Sequence, residues 1–187
     1  MVTILSLWIP ILLSAVVVFF ASFVAHMLLK HHKNDFKILP NEDGLLDAMR
    51  KLDIAPGDYL VPCVKSMKEM KSPEFIEKRT KGPVVIMTVL RGAPPSMGRE
   101  LSLWFLYCVI VGVFAAYVSG RALTAGAPYL QVMRFAGVTA FACYSMALLQ
   151  NSIWYKRNLA ATLRTMFDGL VYALLTGGVF GCFWPGR

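Results

Sequence analysis

Charged side chains are scarce in this chain, and acidic ones are nearly confined to one stretch. Only 16% of the 187 residues are charged, and Asp168 is the single Asp or Glu outside residues 30–100. Cysteine is also sparse, with four residues in four different segments and no short-range pair. This spacing argues against a disulfide framework and against a cysteine-based zinc site.

Catalytic signatures are missing as well. The chain has no P-loop, no dinucleotide-binding fingerprint, no HExxH pair and no nucleophile elbow. Serine and cysteine are present, but no histidine stands on a second element with a supporting carboxylate at a suggestive spacing. We therefore predict that the protein is not an enzyme and carries no cofactor.

Long apolar stretches are what the chain has in abundance. Hydrophobic residues make up 57% of it, and the mean hydropathy is +0.57. A helix needs about 20 apolar residues to cross a hydrocarbon core of about 30 Å. Four stretches meet this requirement: 4–29, 101–118, 129–150 and 163–184.

The first of these stretches predicts a retained helix rather than a signal peptide, because no basic residue precedes it and it is too long for an h-region. The fold class predicted is an all-α integral membrane protein with four transmembrane helices. Residues 1–29 form the first helix, 30–100 a soluble segment, and 101–187 a three-helix membrane unit. The soluble segment is predicted to be mainly helical, with a short strand as an alternative.

Basic residues predict the orientation, because short cytoplasmic loops are enriched in Lys and Arg. Arg121, Arg134 and Arg187 lie on one side of the predicted spans, and a larger set lies on the other. Both termini are therefore predicted to be periplasmic and residues 30–100 cytoplasmic. The four tryptophans fall near predicted helix ends, as expected for rings at the headgroup level. The larger basic set comprises Lys30, Lys33, Lys37, Arg91, Arg99, Lys156, Arg157 and Arg164.

The net charge of +8 is spread over positions that flank the membrane. The soluble segment interleaves its basic residues with ten of the eleven acidic ones. Anionic lipid headgroups are thus the predicted partner of the basic residues, and nucleic acid is not.

The soluble segment has clear start and stop signals. Asn41 is predicted to cap one helix, and Ser72 to cap a second, shorter one. Residues 84–90 are apolar and rich in β-branched side chains, so they form either a short buried strand, paired with 59–61, or a segment on the membrane interface. Pro95 ends this region. Large apolar residues are too few for an independent core, which predicts that the segment folds against the membrane or a partner.

Small residues at four-residue spacing predict that the membrane helices pack closely against one another within one bundle. Close approach depends on such residues because lipid gives no hydrophobic drive between helices. The alternative is that one such stripe, most plausibly that of the fourth helix, faces another protein or a second copy. The stripes are Gly169, Ala173, Gly177 and Gly181 on the fourth helix, Gly112, Ala116 and Gly120 on the second, and Ala136 and Ala140 on the third.

Asp168 and Arg134 are the ionisable residues inside the spans that call for an explanation. Asp168 is predicted to pair at the interface with Arg164, Lys156 or Arg157. The alternative is a buried carboxylate that binds or relays a proton or cation, with Tyr107, Tyr117, Tyr144 and Tyr172 as the hydroxyl groups of a path. Arg134 is predicted to extend to the opposite interface, and its depth argues against a direct pair with Asp168.

Two metal readings of the sequence are weak. His31 and His32 are adjacent, so on a helix they point about 100° apart and do not share a metal easily. His26 and His31 diverge similarly, and haem lacks a histidine on another helix. Cys63, Met67 and Met70 offer soft ligands for Cu(I) at helical spacing, but such a pattern is more often a small amphipathic face.

The chain resembles a family of short, uncharacterised bacterial inner-membrane proteins. The resemblance implies a bacterial inner membrane and supplies no catalytic residues. It rests on residues 39–43 (LPNED), 56–59 (PGDY), 70–75 (MKSPEF), 82–83 (GP), 97–98 (MG), 104–105 (WF), 115–117 (AAY) with Gly120, 153–155 (IWY), 168–170 (DGL) and 183–185 (FWP).

These patterns together predict a non-enzymatic scaffold or accessory subunit of a membrane complex, which contacts a membrane-protein partner or a second copy. The alternative is a small transporter or a proton- or cation-conducting oligomer that uses Asp168.

Overall fold

The computed structural model describes residues 1–94 and 96–186 and divides the chain into two units. Met1–Lys37 and Ser96–Arg187 form one unit, here called the bundle, and Ile38–Pro95 forms the other, here called the loop segment. Two residues with a predicted role lie outside the described ones. Pro95 is predicted to end the region that contains the apolar residues 84–90, and Arg187 is predicted to lie on the periplasmic side.

Four long helices, several shorter helices and one pair of antiparallel strands make up the chain. Single turns lie at Ile4–Leu7, Val24–Leu28, Lys30–His32, Glu69–Lys71 and Met146–Leu148. The helices are α1 (Trp8–Phe23), α2 (Glu42–Lys51), α3 (Pro73–Lys81), α4 (Gly98–Ala122), α5 (Tyr129–Ser145), α6 (Leu149–Trp154) and α7 (Leu159–Cys182), and the strands are β1 (Gly57–Val61) and β2 (Val85–Val89).

Four helices are long and apolar enough to cross a membrane, which confirms the predicted fold class. They are Ile4–Leu28, Gly98–Ala122, Tyr129–Trp154 and Leu159–Cys182. The chain therefore has the architecture of a multi-pass membrane protein. The last span begins four residues before the predicted start, because the Asn158 side chain caps it by accepting a hydrogen bond from the Ala160 amide at 2.9 Å.

The four long helices of the bundle contact one another in a closed ring. α1 contacts α4, α4 contacts α5, α5 contacts α7, and α7 contacts α1. The Val2 amide donates to the Gly120 carbonyl at 2.9 Å, and the Gly126 amide donates to the Pro185 carbonyl at 2.8 Å. Both chain ends therefore meet the α4–α5 connection at one end of the bundle, here called the terminal end. Residues 29–37 and 155–158 lie at the other, here called the loop end.

Small residues set the distance between neighbouring helices. A Cβ added at Gly177 would lie 2.7 Å from the Met133 carbonyl oxygen, and one at Gly112 would lie 3.2 Å from the Ile11 carbonyl oxygen. The structure thus places the α7 stripe against α5, and the α4 stripe against α1, within one chain. Gly169, Ala173, Gly181, Ala116, Gly120, Ala136 and Ala140 are also buried in the bundle.

The core of the bundle changes character along its axis. At the terminal end it is an apolar cluster that includes Leu7, Ile11, Val132, Phe180 and Trp184. Trp184 is buried there and donates its indole N–H to the Thr124 carbonyl at 2.9 Å, so it is a core residue rather than a ring at the headgroups. Toward the loop end the core includes Cys108, Tyr144 and Tyr172.

The loop segment combines two capped helices with one antiparallel pair of strands, and α3 lies in the connection between the strands. Asn41 and Ser72 accept hydrogen bonds from the amides of Gly44 and Phe75, at 3.2 Å each, as the sequence predicts. β1 pairs with β2 in antiparallel register, with Tyr59 opposite Met87. The predicted strand therefore forms, but the prediction that it is buried is wrong. None of the described residues of 38–94 is buried, in line with the prediction that large apolar residues are too few for a core.

Candidate functional site: a histidine and aspartate network at the loop end

The first span ends in a way that turns two histidines toward α7. After the π-helical turn Val24–Leu28, Leu29 adopts an extended conformation, with φ −86° and ψ 124°. The chain then forms the 3₁₀ turn Lys30–His32. His31 and His32 therefore do not continue a helix, and the prediction that they point apart is wrong: their ring centroids lie 4.2 Å apart.

Both histidines bind the same carboxylate. His31 Nε2 lies 2.9 Å from Asp168 Oδ1, and His32 Nε2 lies 2.5 Å from Asp168 Oδ2. Asp168 itself is only 4% exposed. Since α7 begins at Leu159, Asp168 lies about two and a half turns into the helix. The carboxylate of Asp168 is thus buried and paired with imidazoles from the far end of the first span.

Asp35 extends the network to α7 by a second route. Its Oδ2 lies 2.6 Å from His32 Nδ1, and its Oδ1 accepts hydrogen bonds from Arg164 Nη2 at 2.5 Å and Arg164 Nε at 2.9 Å. The predicted pairing of Asp168 with Arg164 is therefore wrong, because the turn after Leu29 brings His31 and His32 to Asp168 and Asp35 to Arg164. The other two predicted partners lie elsewhere: Lys156 Nζ donates to the Ile153 carbonyl, and Arg157 lines a neighbouring cavity.

His32 is the central group of the network because both of its ring nitrogens face carboxylates. A neutral imidazole has only one N–H, so two such hydrogen bonds favour the doubly protonated cation. Burial lowers the pKa of His32, but hydrogen bonds with Asp35 and Asp168 outweigh that effect, and the pKa is raised. Burial raises the pKa of Asp35, but hydrogen bonds with His32 and Arg164 outweigh that effect, and this pKa is lowered. The network therefore holds alternating charges.

His26 completes the cluster. Its ring stacks on that of His32, with centroids 4.6 Å apart and 26° between the planes. Single ligand atoms of His26, His32 and Asp168 all lie within 4.8 Å of one another, a grouping that could hold a metal ion. Beside these histidines is a cavity of about 470 Å³. It is also lined by polar side chains from the α6–α7 region, including Asn151, Thr162 and Thr165.

Arg134 is not part of this network. Its side chain is exposed on α5, where it lines a shallow apolar cavity. It precedes Tyr144 by ten residues, about 15 Å along a helix axis. Tyr144 packs against Tyr172, one turn after Asp168, with ring centroids 5.7 Å apart. The structure therefore keeps Arg134 and Asp168 apart, as predicted.

The tyrosines proposed for a proton path are only partly assembled. Tyr107 contacts Tyr144, and Tyr144 contacts Tyr172, whereas Tyr117 is half exposed and lies on another part of α4. The Tyr172 hydroxyl is buried without a hydrogen-bond partner among the described residues. Beyond these rings the core becomes the apolar cluster of the terminal end. The copper candidates Cys63, Met67 and Met70 are all exposed in the loop segment.

The sequence contained a signal for this site that spacing within one helix does not reveal. His26, His31 and His32 are the only histidines, and they surround the end of the first span. In an up-and-down arrangement, that end meets the beginning of the fourth span. Asp168, the only acidic residue within the four predicted spans, lies there. Comparison of the chain with protein-family models, with curated proteins and with solved structures gives no match.

Proposed function

We propose that this protein is a non-enzymatic scaffold or accessory subunit of a membrane complex, and that the loop segment is its contact surface. The observation that supports this most is the contrast in burial between the two units. The bundle has an internal core, whereas none of the described residues of 38–94 is buried. A folded segment that keeps its apolar side chains exposed gains stability when a partner covers them.

The exposed apolar residues of the loop segment are arranged on ordered elements, which favours a surface over a disordered tail. Leu45 and Leu52 lie seven residues apart, at the spacing of one helical face. Leu60 and Ile86 are opposite each other in the β1–β2 pair and are 41% and 48% exposed. An apolar surface on a protein partner matches both features.

The network at the loop end supports a structural role in the same proposal. It connects residues 31–35 to α7, so the chain leaves the membrane unit from a fixed position. Each Asp168 oxygen has an imidazole partner, and each Asp35 oxygen has a cationic partner. Asp168 is buried, so the loss of one of its partners is costly, which supports a structural role for the network.

We also propose a bacterial inner-membrane location, with both termini periplasmic and the loop end cytoplasmic. The bundle supports this because both termini share one end and the basic flanking residues share the other. A lipid-facing groove of about 960 Å³ between the first span and α7 carries Lys30 at its rim beside apolar side chains such as Leu29 and Phe167. Anionic lipid headgroups suit that rim. Fusions of a reporter enzyme to each terminus test the orientation.

A second candidate function is a small transporter or a proton- or cation-conducting oligomer centred on Asp168. The observation that favours it is the burial of this carboxylate between two titratable imidazoles, which is typical of ion and proton sites. Asp168→Asn in reconstituted vesicles tests it: ion-dependent flux in the native protein that disappears in the variant supports transport. The apolar terminal end of the core favours the accessory role instead.

The deciding experiment is native mass determination of the tagged protein, extracted from its own membrane in mild detergent. We expect a stoichiometric protein partner. Leu45→Ser and Ile86→Ser should each weaken its retention, because both remove exposed apolar area from the loop segment. Lys51→Ser, on the same helix as Leu45, is the matched control and should retain the partner. A lone monomer or homo-oligomer, or equal retention in all variants, would contradict the proposal.

A further inference from the structure

Three side chains at the loop end have metal-ligating atoms close together. These are His26, His32 and Asp168, with one ligand atom from each within 4.8 Å of the others. A tetrahedral ion at about 2.1 Å from its ligands holds them about 3.4 Å apart. A modest side-chain rotation covers the difference. We propose that these three residues bind one divalent first-row transition-metal ion, with Zn²⁺ as the representative species.

His26 is the ligand that is free to move. Its side chain is exposed, it stacks on His32, and it makes no hydrogen bond with any other described residue. Rotation about its side-chain bonds therefore breaks no polar contact in the described part of the chain. The stacked position already keeps its ring beside the other two ligands, so ordering it costs less than recruiting a distant side chain.

His32 is oriented by a second layer of contacts that metal sites use repeatedly. Its Nδ1 faces Asp35 Oδ2 at 2.6 Å, and Asp35 is held in turn by Arg164. Metal-bound histidines almost always donate their other ring N–H to a carboxylate, a carbonyl or water, which fixes the ring and raises its basicity. With Nδ1 committed to Asp35, Nε2 is the nitrogen that remains for the ion.

The second carboxylate oxygen of Asp168 lies beside His32 Nε2, the nitrogen that remains for the ion. Its Oδ1 bonds to His31, while its Oδ2 lies 2.5 Å from His32 Nε2. On binding, the ion takes the place of the proton between these two atoms, and that proton is released to solvent. His31 stays on Oδ1 and holds the carboxylate, which makes it a positioning residue rather than a ligand.

The kind of ion follows from the donor set and the surroundings. Two imidazole nitrogens and one carboxylate oxygen suit zinc, iron or nickel, whereas Mg²⁺ and Ca²⁺ prefer sites built of oxygen. The cavity of about 470 Å³ borders His26 and His32. It leaves room for water or another small ligand at the fourth position. This inference does not depend on the accessory role, since it rests on the bundle alone.

The test uses the full-length protein in detergent, stripped with a chelator, equilibrated with Zn²⁺ and separated from free metal before elemental analysis. We expect one Zn²⁺ per chain. His26→Asn should weaken the affinity more than about tenfold, because one of three ligands is lost. The profile on size exclusion should not change, since the His26 side chain is exposed and makes no described hydrogen bond. A metal-free native protein, or unchanged affinity in His26→Asn, would overturn the proposal.

Two controls separate this site from others in the chain. His31→Gln retains a donor for Asp168 Oδ1 and should retain the metal, and Cys63→Ser should do the same. Loss of the metal in Cys63→Ser would overturn the assignment. An excess of Mg²⁺ should not displace Zn²⁺, and equal competition would contradict a nitrogen-rich site.

A second measurement needs no variant. Co²⁺ bound to the native protein should show the intense visible absorption of a four-coordinate site with nitrogen ligands. The weak spectrum of six-coordinate Co²⁺ alone would overturn the proposal.

Discussion

The bundle and the loop segment obtain their order from different sources. In the bundle, small residues let helices approach closely, and side chains such as Val132 and Phe180 are fully buried. In the loop segment, helix caps and the hydrogen bonds between β1 and β2 form the elements, while Leu60 and Ile86 remain exposed. The bundle has an internal core, and the loop segment has local structure without one. We therefore expect only the loop segment to gain stability from another surface.

Ion pairs show the same contrast. Asp168 is buried and joined to two histidines, whereas Glu74 and Lys78 form an exposed pair on α3 at 2.7 Å. Water and salt screen the exposed pair, so it contributes little. A buried carboxylate cannot be left without partners at small cost. Substitutions of the same type should therefore have different effects in the two units.

The largest effect should come from crowding the bundle at its closest helix contact. Gly177→Leu places a side chain against the Met133 carbonyl, so α5 and α7 must separate, and we expect a loss of about 3 kcal/mol or more. Thermal unfolding followed by size exclusion measures it. Gly98→Leu is the control, since an added Cβ there meets nothing within 4 Å. Similar unfolding temperatures for both variants would show that α7 does not pack closely on α5.

Next in size is the removal of the buried charge. Asp168→Asn keeps the shape but weakens both imidazole contacts, and a loss of about 2 kcal/mol in the free energy of unfolding is expected. Glu74→Gln, in the loop segment, should leave the unfolding transition unchanged. If the two substitutions had the same effect, Asp168 would not be held in a buried network.

The pH dependence of the bundle should follow His32 and Asp35. The raised pKa of His32 gives stability that is complete below about pH 6.5 and is lost as pH rises through the folded value. The lowered pKa of Asp35 gives stability present above about pH 3.8 and lost as pH falls through its folded value. We expect the difference in unfolding temperature between native protein and His32→Gln, with chelator present, to shrink in alkali. A constant difference would argue against a charged His32.

The smallest effect concerns the loop segment alone. Asn41→Ala removes the hydrogen bond to the Gly44 amide and should cost α2 about 1 kcal/mol. Faster amide exchange within Glu42–Lys51, with no change in the unfolding temperature of the bundle, is the expected result. A lower unfolding temperature of the bundle in this variant would mean that the two units unfold together.

Local signals in the sequence predicted most of the fold. The four spans, the caps at Asn41 and Ser72, and the pairing of β1 with β2 all depend on neighbours in sequence or on apolar patterns. The network at the loop end depends instead on a break in the helix at Leu29. The first span is predicted to end at residue 29, but no proline or glycine there indicates the extended conformation of Leu29. The sequence therefore does not predict that the turn after Leu29 brings His31 and His32 to one carboxylate.

The partners of Asp168 could not be predicted from spacing along α7. Arg164 precedes Asp168 by one turn, a separation that favours an ion pair on an isolated helix. In the folded bundle Arg164 donates its hydrogen bonds to Asp35 instead, and two histidines bond to Asp168. Contacts separated by more than a hundred residues depend on how helices meet, and the only advance signal is that all five groups lie at the same end.

Amide hydrogen exchange of the loop segment tests the central contrast most directly. The protein would be measured in its native membrane and in nanodiscs made from lipids extracted from that membrane, so that only protein partners differ. We expect slower exchange of β1 and β2 in the native membrane than in the nanodiscs, and equal exchange of α5 and α7 in the two preparations. Equal exchange of β1 and β2 in both preparations would contradict a protein partner for the loop segment.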